Sequence, residues 1–295
     1  MNNKMNRRNF IKAIGISAAA LTMPDLMSAG IKQNRLNFVF FLIDDLGWKD
    51  IGGFGSSFYE TPNIDKLAKK GMRFTNAYAA CPVCSPTRAS IMSGKYPARI
   101  NLTDYLCGRR AGKLLPAEYI RHLPLEEVTL AESLKSAGYT TFFTGKWHLG
   151  DKGYYPENQG FDINKGGWSA GHPRSYFTPY RNPKLKDGPK GEYLTDRLTD
   201  ESLKFLDTNG NKPFLLYLAH YAVHNPQQAK KDIIAEYKAK AENLPPFKGS
   251  HFLPEGRRQA NQIQDNPIYA AMIQSVDENV GRIMKKLVKL GIADN

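Results

Sequence analysis

Short apolar runs that alternate with segments of helical periodicity are the feature that most constrains the fold of this chain. The first run, Phe38–Ile43, is apolar on both faces, as expected for a strand that helices cover on each side. Two similar runs follow at residues 139–144 and 214–218. This alternation predicts an α/β fold with a mostly parallel central sheet and helices on both faces.

Capping residues predict the limits of two helices. One helix is predicted between Thr61, as its N-cap, and Gly71, as its stop. Thr129 and Glu132 fit the capping box of another helix, which should end at Gly138 and lead into the second strand.

Three further helices are predicted from caps and spacing. One should have Ser85 as its N-cap, Pro86 at its first position and Gly94 past its end. A polar helix is predicted over residues 195–206, and a long amphipathic helix over residues 268–290.

Two stretches rich in Pro and Gly, residues 150–189 and 244–267, are interpreted as loops around a site or its rim. Neither stretch shows a shift in composition strong enough to mark a domain boundary, and the chain contains no internal repeat. Residues 30–295 are therefore predicted to form one domain.

The net charge of +13 over 295 residues favours anionic partners. Nucleic acid, a membrane surface and a sulfated or phosphorylated substrate all satisfy that condition. The sequence contains no nucleic-acid-binding motif, and its cations are spread along the chain instead of forming one basic stripe. Nucleic acid is therefore not expected as a partner.

The N-terminus resembles a twin-arginine export signal, because Arg7 and Arg8 are followed by Phe10 and Lys12. A weakly apolar stretch follows, too short to span a bilayer, and small residues offer a cleavage site near Ala29. Residues 1–29 are thus expected to direct export by the Tat machinery to the periplasm or outside the cell, without a stable membrane anchor. A basic amphipathic helix is the alternative interpretation.

Polar side chains follow each of the three predicted strands. They are Asp44 and Asp45 after the first strand, Lys146 and His148 after the second, and His220 and His224 after the third. In open α/β sheets, ligands bind beyond the carboxyl ends of the strands. Three such strand ends at one sheet edge predict a functional site there.

The chemistry of two of these pairs has alternatives. Asp44 and Asp45 would repel each other without a cation, and hard ions such as Ca²⁺ or Mg²⁺ take oxygen ligands, but a solvated pair could also end a loop. His220 and His224 have the spacing of a zinc pair, although no Glu follows His220 as the metalloprotease motif requires.

The three cysteines, Cys81, Cys84 and Cys107, are too few for a disulfide framework, and at least one should be free. Cys81 and Cys84 alone have the spacing of a thioredoxin-type motif, and as a metal half-site they lack a second pair. The residues that follow separate these possibilities.

Residues 84–90 read CSPTRAS, which resembles the Cys-x-Pro-x-Arg signature, with its Ala-Ser extension, of the formylglycine-dependent type I sulfatases in the alkaline phosphatase superfamily. The resemblance extends from about residue 36 to the end of the chain. Further segments that carry it are residues 42–48, 61–68, 71–78, 93–97, 144–150, 213–217 and 222–226.

This resemblance implies an alkaline-phosphatase/sulfatase-like fold and an enzyme that cleaves sulfate esters of small molecules or polysaccharides. A maturation enzyme would convert Cys84 to formylglycine, whose hydrate attacks sulfur. One Ca²⁺ or Mg²⁺ ion would be bound by Asp44, Asp45 and the oxygen formed at position 84.

The resemblance also implies roles for four other residues. Lys146 would hold the sulfate, and Arg88 would orient the hydrate. His148 would take a proton from the hydrate, and His224 would protonate the leaving alcohol or bind sulfate. His220 receives no role.

Residues 30–295 are expected to be an incomplete sulfatase domain that lacks its C-terminal part, because the family has a further strand and an Asp-Asn metal pair beyond the helix predicted at residues 268–290. The pair Asp294 and Asn295 follows a helix instead of a strand, so it is not expected to replace them. Two alternatives stay open: a phosphonate monoesterase or phosphodiesterase of the same superfamily, and an inactive protein that binds sulfated glycans.

Overall fold

The computed structural model describes residues 35–108, 113–115 and 117–295. The chain divides into two units, Asn37–Asp294 and a second unit made of Met1–Leu36 with Asn295. All helices and strands of the described residues belong to the first unit. The export signal expected at residues 1–29 lies outside the described residues and stays a prediction.

The core of the first unit is a four-stranded sheet with the strand order β1-β4-β2-β3, in which every neighbouring pair is parallel. The strands are β1 Phe38–Ile43, β2 Thr140–Gly145, β3 Ile163–Lys165 and β4 Phe214–His220. The register places Ile43 opposite His220 and Gly145 opposite Ala219. The carboxyl ends of β1, β2 and β4 therefore meet at one edge, as the sequence predicts.

Helices cover both faces of this sheet, which confirms the predicted fold class. Their bounds are α1 Pro62–Lys70, α2 Cys84–Ser93, α3 Pro97–Ile100, α4 Leu130–Ser136, α5 Leu194–Asn209, α6 Lys231–Glu242 and α7 Pro267–Lys289. Along β4, Leu216 and Leu218 join a core with α5, α6 and α7, whereas Leu215 and Tyr217 join a core with α2, α3 and α4. This alternation follows from the two-residue period of a strand.

The helix α2 begins two residues earlier than predicted. Its first residue is Cys84, and its N-cap is Val83, which has an extended backbone with φ −120° and ψ 155°. The prediction of Ser85 as N-cap is therefore wrong. The first turn needs no intrahelical N–H bond, so Pro86 is tolerated at the third position as well as at the first. Gly94 ends the helix in the left-handed conformation, as predicted.

The other capping predictions differ in outcome. The capping box of α4 is present, since the N–H of Glu132 donates to Oγ1 of Thr129 at 3.1 Å and the N–H of Thr129 donates to Oε2 of Glu132 at 2.8 Å. The helix α1 ends at Gly71 as predicted. Its Thr61 side chain, however, accepts from the N–H of Gly52 at 2.8 Å and donates to Asp65, and it caps no N–H of the helix.

The two predicted loops contain secondary structure. Residues 150–189 include β3 and a 3₁₀ turn at Pro156–Asn158, and residues 244–267 include the antiparallel hairpin of β5 Phe252–Glu255 and β6 Arg258–Asn261. The helix α6 was not predicted, and it buries only two apolar side chains. Within the described part of the chain, none of the helices has the length and apolar character needed to cross a bilayer.

Candidate active site

The carboxyl edge of the sheet is held together by backbone hydrogen bonds that continue past the strand ends. The N–H of Lys146 donates to the carbonyl of Ala219 at 2.8 Å. The N–H of Asp44 donates to the carbonyl of Ala222 at 2.9 Å, and the N–H of Val223 donates back to the carbonyl of Asp44 at 2.7 Å. The residues that follow β1, β2 and β4 are therefore fixed relative to one another.

A buried ion-pair cluster forms the floor of the site. Arg88 donates from Nη2 to Oδ1 of Asp44 at 2.8 Å, and Lys146 donates from Nζ to Oδ2 of the same carboxylate. Arg88 also donates from Nη1 to the carbonyl of Lys146 at 2.6 Å. All three side chains are at most 6% exposed. Two cations around one anion leave this floor with a net charge of about +1.

The carboxyl group of Asp44 is ionised. Burial by itself would raise the pKa of Asp44, but the positive charges of Arg88 and Lys146 outweigh it, so the pKa is lowered. Because the carboxylate balances only one of two buried cations, the floor is suited to binding a second anion beside it.

Cys84 contacts a histidine at the edge of this cluster. Its Sγ lies 3.2 Å from Nδ1 of His148, and Oγ of Ser85 lies 3.2 Å from the same nitrogen. Burial, and then the charges of Lys146 and Arg88, lower the pKa of His148 to about 3. The ring is therefore neutral near pH 7. The backbone of His148 is left-handed, with φ +56°, a conformation that functional sites often hold at some cost in energy.

Asp45 and His224 lie at the mouth of the site. Nε2 of His224 is 3.7 Å from Oδ2 of Asp45, whose side chain is 61% exposed. The hydroxyl of the buried Tyr176 donates to the carbonyl of His224 at 2.8 Å, and this bond holds the turn after β4.

One ligand atom from each of Asp44, Asp45 and His224 can be chosen so that all three lie within 4.8 Å of one another. Ligands of one Ca²⁺ ion lie 2.3–2.6 Å from it, so two of them can be about 5 Å apart. Each oxygen of Asp44 already accepts one hydrogen bond and keeps a further lone pair. These residues therefore fit a divalent cation, with His224 as a neighbour that the sequence analysis did not count among the ligands.

A cleft of about 860 Å³ opens above these groups. It is lined by Asp45, Cys84, His148 and His224, which were all predicted as site residues. Its walls come from segments that the sequence analysis read only as loops or left without a role: Pro82, Val83, Tyr105, Leu106, Cys107, Arg121, Asp151, Trp168, Ser169, Ala170, Gly171 and His172. No periodic pattern marks these residues, although their position in Pro- and Gly-rich stretches near the strand ends is a weak signal.

His220 lies apart from this site. It is completely buried at the end of β4, and among the described residues its ring nitrogens have no hydrogen-bond partner and join no group of three possible metal ligands. The alternative of a zinc pair with His224 is therefore not supported. Cys81, Cys84 and Cys107 are all free thiols.

Comparison with known proteins gives one consistent family. The sequence model described as Sulfatase matches residues 36–295. N-acetylgalactosamine-6-sulfatase of Rattus norvegicus is 33% identical over 312 residues, which cover 97% of this chain and 52% of the relative. Arylsulfatase G of Homo sapiens is 32% identical and covers 74% of this chain and 47% of the relative.

The solved structures agree with the sequence relatives. The crystal structure of Ps i-CgsB in complex with k-i-k-neocarrahexaose has a TM-score of 0.69 and 30% identity, and it covers 88% of this chain and 56% of its own. The chain spans about half the length of the curated relatives it matches. With the family match over residues 36–295, the chain belongs to the sulfatase family of the alkaline phosphatase superfamily.

Proposed function

We propose that this protein hydrolyses sulfate esters, with residue 84 as the source of the nucleophile and a divalent cation as cofactor. The observation that carries this function is the contact of Cys84, at the first position of α2, with the neutral ring of His148 beside a buried cluster of net positive charge. A cysteine in that position has a base on one side and an anion-binding floor on the other.

The floor and the helix α2 favour a sulfate group beside Cys84. The first N–H groups of a helix have no intrahelical partner, and the helix dipole favours negative charge at that end. Arg88 lies one turn further along α2, and Lys146 contacts the same carboxylate as Arg88. These groups would hold the sulfate and balance the charge that develops on its oxygens.

A formylglycine and a divalent cation would complete this chemistry, and the donor atoms around Asp44 and Asp45 fit the cation. Formylglycine made from Cys84 would supply a hydrated aldehyde as nucleophile, and Ca²⁺ or Mg²⁺ bound by Asp44, Asp45 and the oxygen at position 84 would polarise a sulfate oxygen.

The two histidines would move protons on opposite sides of the reaction. His148, which is neutral, can accept a proton at Nδ1 from a hydroxyl at position 84, because that nitrogen already faces the residue at 3.2 Å. His224 lies at the mouth of the cleft beside Asp45, where it can protonate a leaving alcohol or contact the sulfate.

Sulfated carbohydrates are the proposed substrate class. The support is the name N-acetylgalactosamine-6-sulfatase of the Rattus norvegicus relative and the neocarrahexaose bound to Ps i-CgsB. The basic character of the chain fits a sulfated polysaccharide as well as a small ester.

The proposal extends to maturation and export. A formylglycine-generating enzyme would act on Cys84, and the twin-arginine-type signal in residues 1–29 would direct the protein through the Tat machinery to the periplasm or the medium.

The test is turnover of an aryl sulfate by purified protein coproduced with a maturation enzyme. Hydrolysis should be lost in Cys84→Ala and retained in Cys107→Ala, a matched control because Cys107 lines the same cleft. Faster turnover of a matched phosphonate monoester or phosphate diester would favour the phosphorus alternative. Binding of sulfated glycan without turnover of any ester would favour the inactive binding protein.

A further inference from the structure

We propose that residues 168–172 form a positioning element that holds both site histidines, with Gly171 as its essential residue. Gly171 packs against the ring of His148, and His172, at the end of the segment, packs against the ring of His224. The catalytic roles of the two rings rest on the proposed function, but their placement by this segment does not.

Gly171 leaves no space for a side chain between itself and His148. A Cβ atom at position 171 would lie 2.7 Å from Nε2 and 2.8 Å from Nδ1 of His148, and closer still to Cε1. All three atoms belong to a rigid ring, so the conflict could be relieved only by moving the ring or the backbone of the segment. Glycine at position 171 is thus required for the observed place of the ring.

The same ring contacts the nucleophile precursor. Nδ1 of His148 lies 3.2 Å from Sγ of Cys84 and 3.2 Å from Oγ of Ser85. The ring therefore contacts both the first turn of α2 and the Cα of Gly171. A displacement of about 1 Å is enough to weaken a proton transfer severely, because catalytic groups must be in hydrogen-bond reach.

The beginning of the segment is anchored to the sheet and to His148 itself. The N–H of His148 donates to the carbonyl of Trp168 at 3.2 Å. One residue earlier, the N–H of Gly167 donates to Oδ1 of Asn164 in β3 at 2.8 Å, and Nδ2 of Asn164 donates to the carbonyl of Gly167 at 2.8 Å. The segment leaves β3 from a fixed point, so it can act as a wall for the ring.

The end of the segment contacts the second histidine. The rings of His172 and His224 are nearly parallel, at 12°, with centroids 6.2 Å apart, within the range of offset stacking. His172 is exposed and lines the cleft, so its side chain is not needed for the hydrophobic core. The segment thus contacts His148 at the base and His224 at the mouth within two successive residues.

The first experiment is NMR of the ring ¹³Cε1–¹H signals of the six histidines in unmatured protein. Gly171→Ala should shift the signal of His148, assigned by its loss in His148→Ala, and leave in place that of His251, which does not line the cleft. Gly71→Ala is the matched control, because its backbone φ is −111° and an added Cβ would lie at an ordinary 3.4 Å from Leu67. An unmoved His148 signal in folded Gly171→Ala protein would overturn the proposal.

A thermal-unfolding cycle covers the case in which Gly171→Ala folds poorly. Gly171→Ala should lower Tm when His148 is present and cost little in the His148→Ala background, because the ring that the methyl group meets is gone. If Gly171→Ala alone does not fold, the double variant with His148→Ala should fold, which would support the proposal in the same way. Equal losses in both backgrounds, or a double variant that does not fold, would show that the conflict is not with His148.

Two further measurements separate positioning from packing. His172→Ala should shift the signal of His224 and not that of His148, and a shift of neither would remove His172 from the proposal. In matured enzyme, Gly171→Ala should lower kcat by roughly tenfold or more while KM changes less than about twofold. The NMR and Tm results need no turnover, so they decide the proposal even if the protein proves to have another function.

Discussion

Asp44 and Asp45 are neighbours in the chain, yet they occupy opposite environments. Asp44 is 6% exposed and each of its oxygens contacts a buried cation, whereas Asp45 is 61% exposed and lies 3.7 Å from His224. The β1 strand ends between the floor and the mouth of one site. The difference indicates that the carboxylate of Asp44 stabilises the buried cluster, while that of Asp45 is accessible to a ligand.

The largest expected effect is the loss of folding stability when the ion-pair cluster of the floor loses its carboxylate. Asp44→Asn leaves Arg88 and Lys146 buried without a carboxylate, and loss of one partner from a buried ion pair costs about 3–5 kcal/mol. The free energy of unfolding from urea titration at pH 7 should fall by that amount. Asp45→Asn, the neighbouring control, should change it by less than about 0.5 kcal/mol. Equal losses of unfolding free energy in Asp44→Asn and Asp45→Asn would contradict the difference between the two residues.

A second prediction concerns the buried His220, which contrasts with the partly exposed His224 as Asp44 contrasts with Asp45. Burial lowers the pKa of His220 to about 4 from its ordinary 6.5, so the unfolded chain binds its proton at higher pH than the folded protein does. The stability that depends on the neutral ring is complete above pH 6.5 and is lost as the pH falls through about 4. The difference corresponds to about 3 kcal/mol.

His220→Leu replaces the buried imidazole with an apolar side chain and so removes the titrating group. Urea unfolding at pH 7 and at about pH 4.5 should show a smaller loss of stability on acidification in the variant than in the parent protein. The half-exposed His251 offers a control, His251→Gln, which should keep the parent's pH dependence. An unchanged acid sensitivity in His220→Leu would contradict this origin of the effect.

The smallest expected effect is a loss of metal affinity at the mouth of the site. Asp45→Asn should weaken Ca²⁺ binding by roughly tenfold, because it removes one charged oxygen ligand while the fold is kept. Isothermal titration and activity should change together, and added Ca²⁺ should restore part of the activity. Full activity of the parent protein in excess chelator would exclude a metal held by Asp44 and Asp45.

Two residues of the floor, Asp44 and Lys146, were predictable because they follow strand ends, whereas Arg88 was predicted from the resemblance of residues 84–90 to the sulfatase signature. Runs such as Phe38–Ile43 identify parallel strands, and the polar residues that follow parallel strands must meet at one edge. The start of α2 was predicted two residues late, since Ser85 has the chemistry of an N-cap although it lies inside the first turn beside His148.

The walls of the cleft were not predictable. Arg121, Cys107 and residues 168–172 reach the site through loops whose paths depend on long-range hydrogen bonds, such as the one from His148 to Trp168. Local propensity and periodicity carry no information about such contacts. The short strand β3 and the helix α6 were missed for a related reason, because each presents few apolar residues.

Residue 84 is proposed to become the nucleophile of a sulfate ester hydrolase. Mass spectrometry of the tryptic peptide of residues 74–88, from protein coproduced with a maturation enzyme, tests it most directly. Fragment ions should place an aldehyde at Cys84 and an intact thiol at Cys81, and the peptide with Cys107 should also be unmodified. Sulfate ester turnover by protein that carries an unmodified Cys84 thiol would contradict the account.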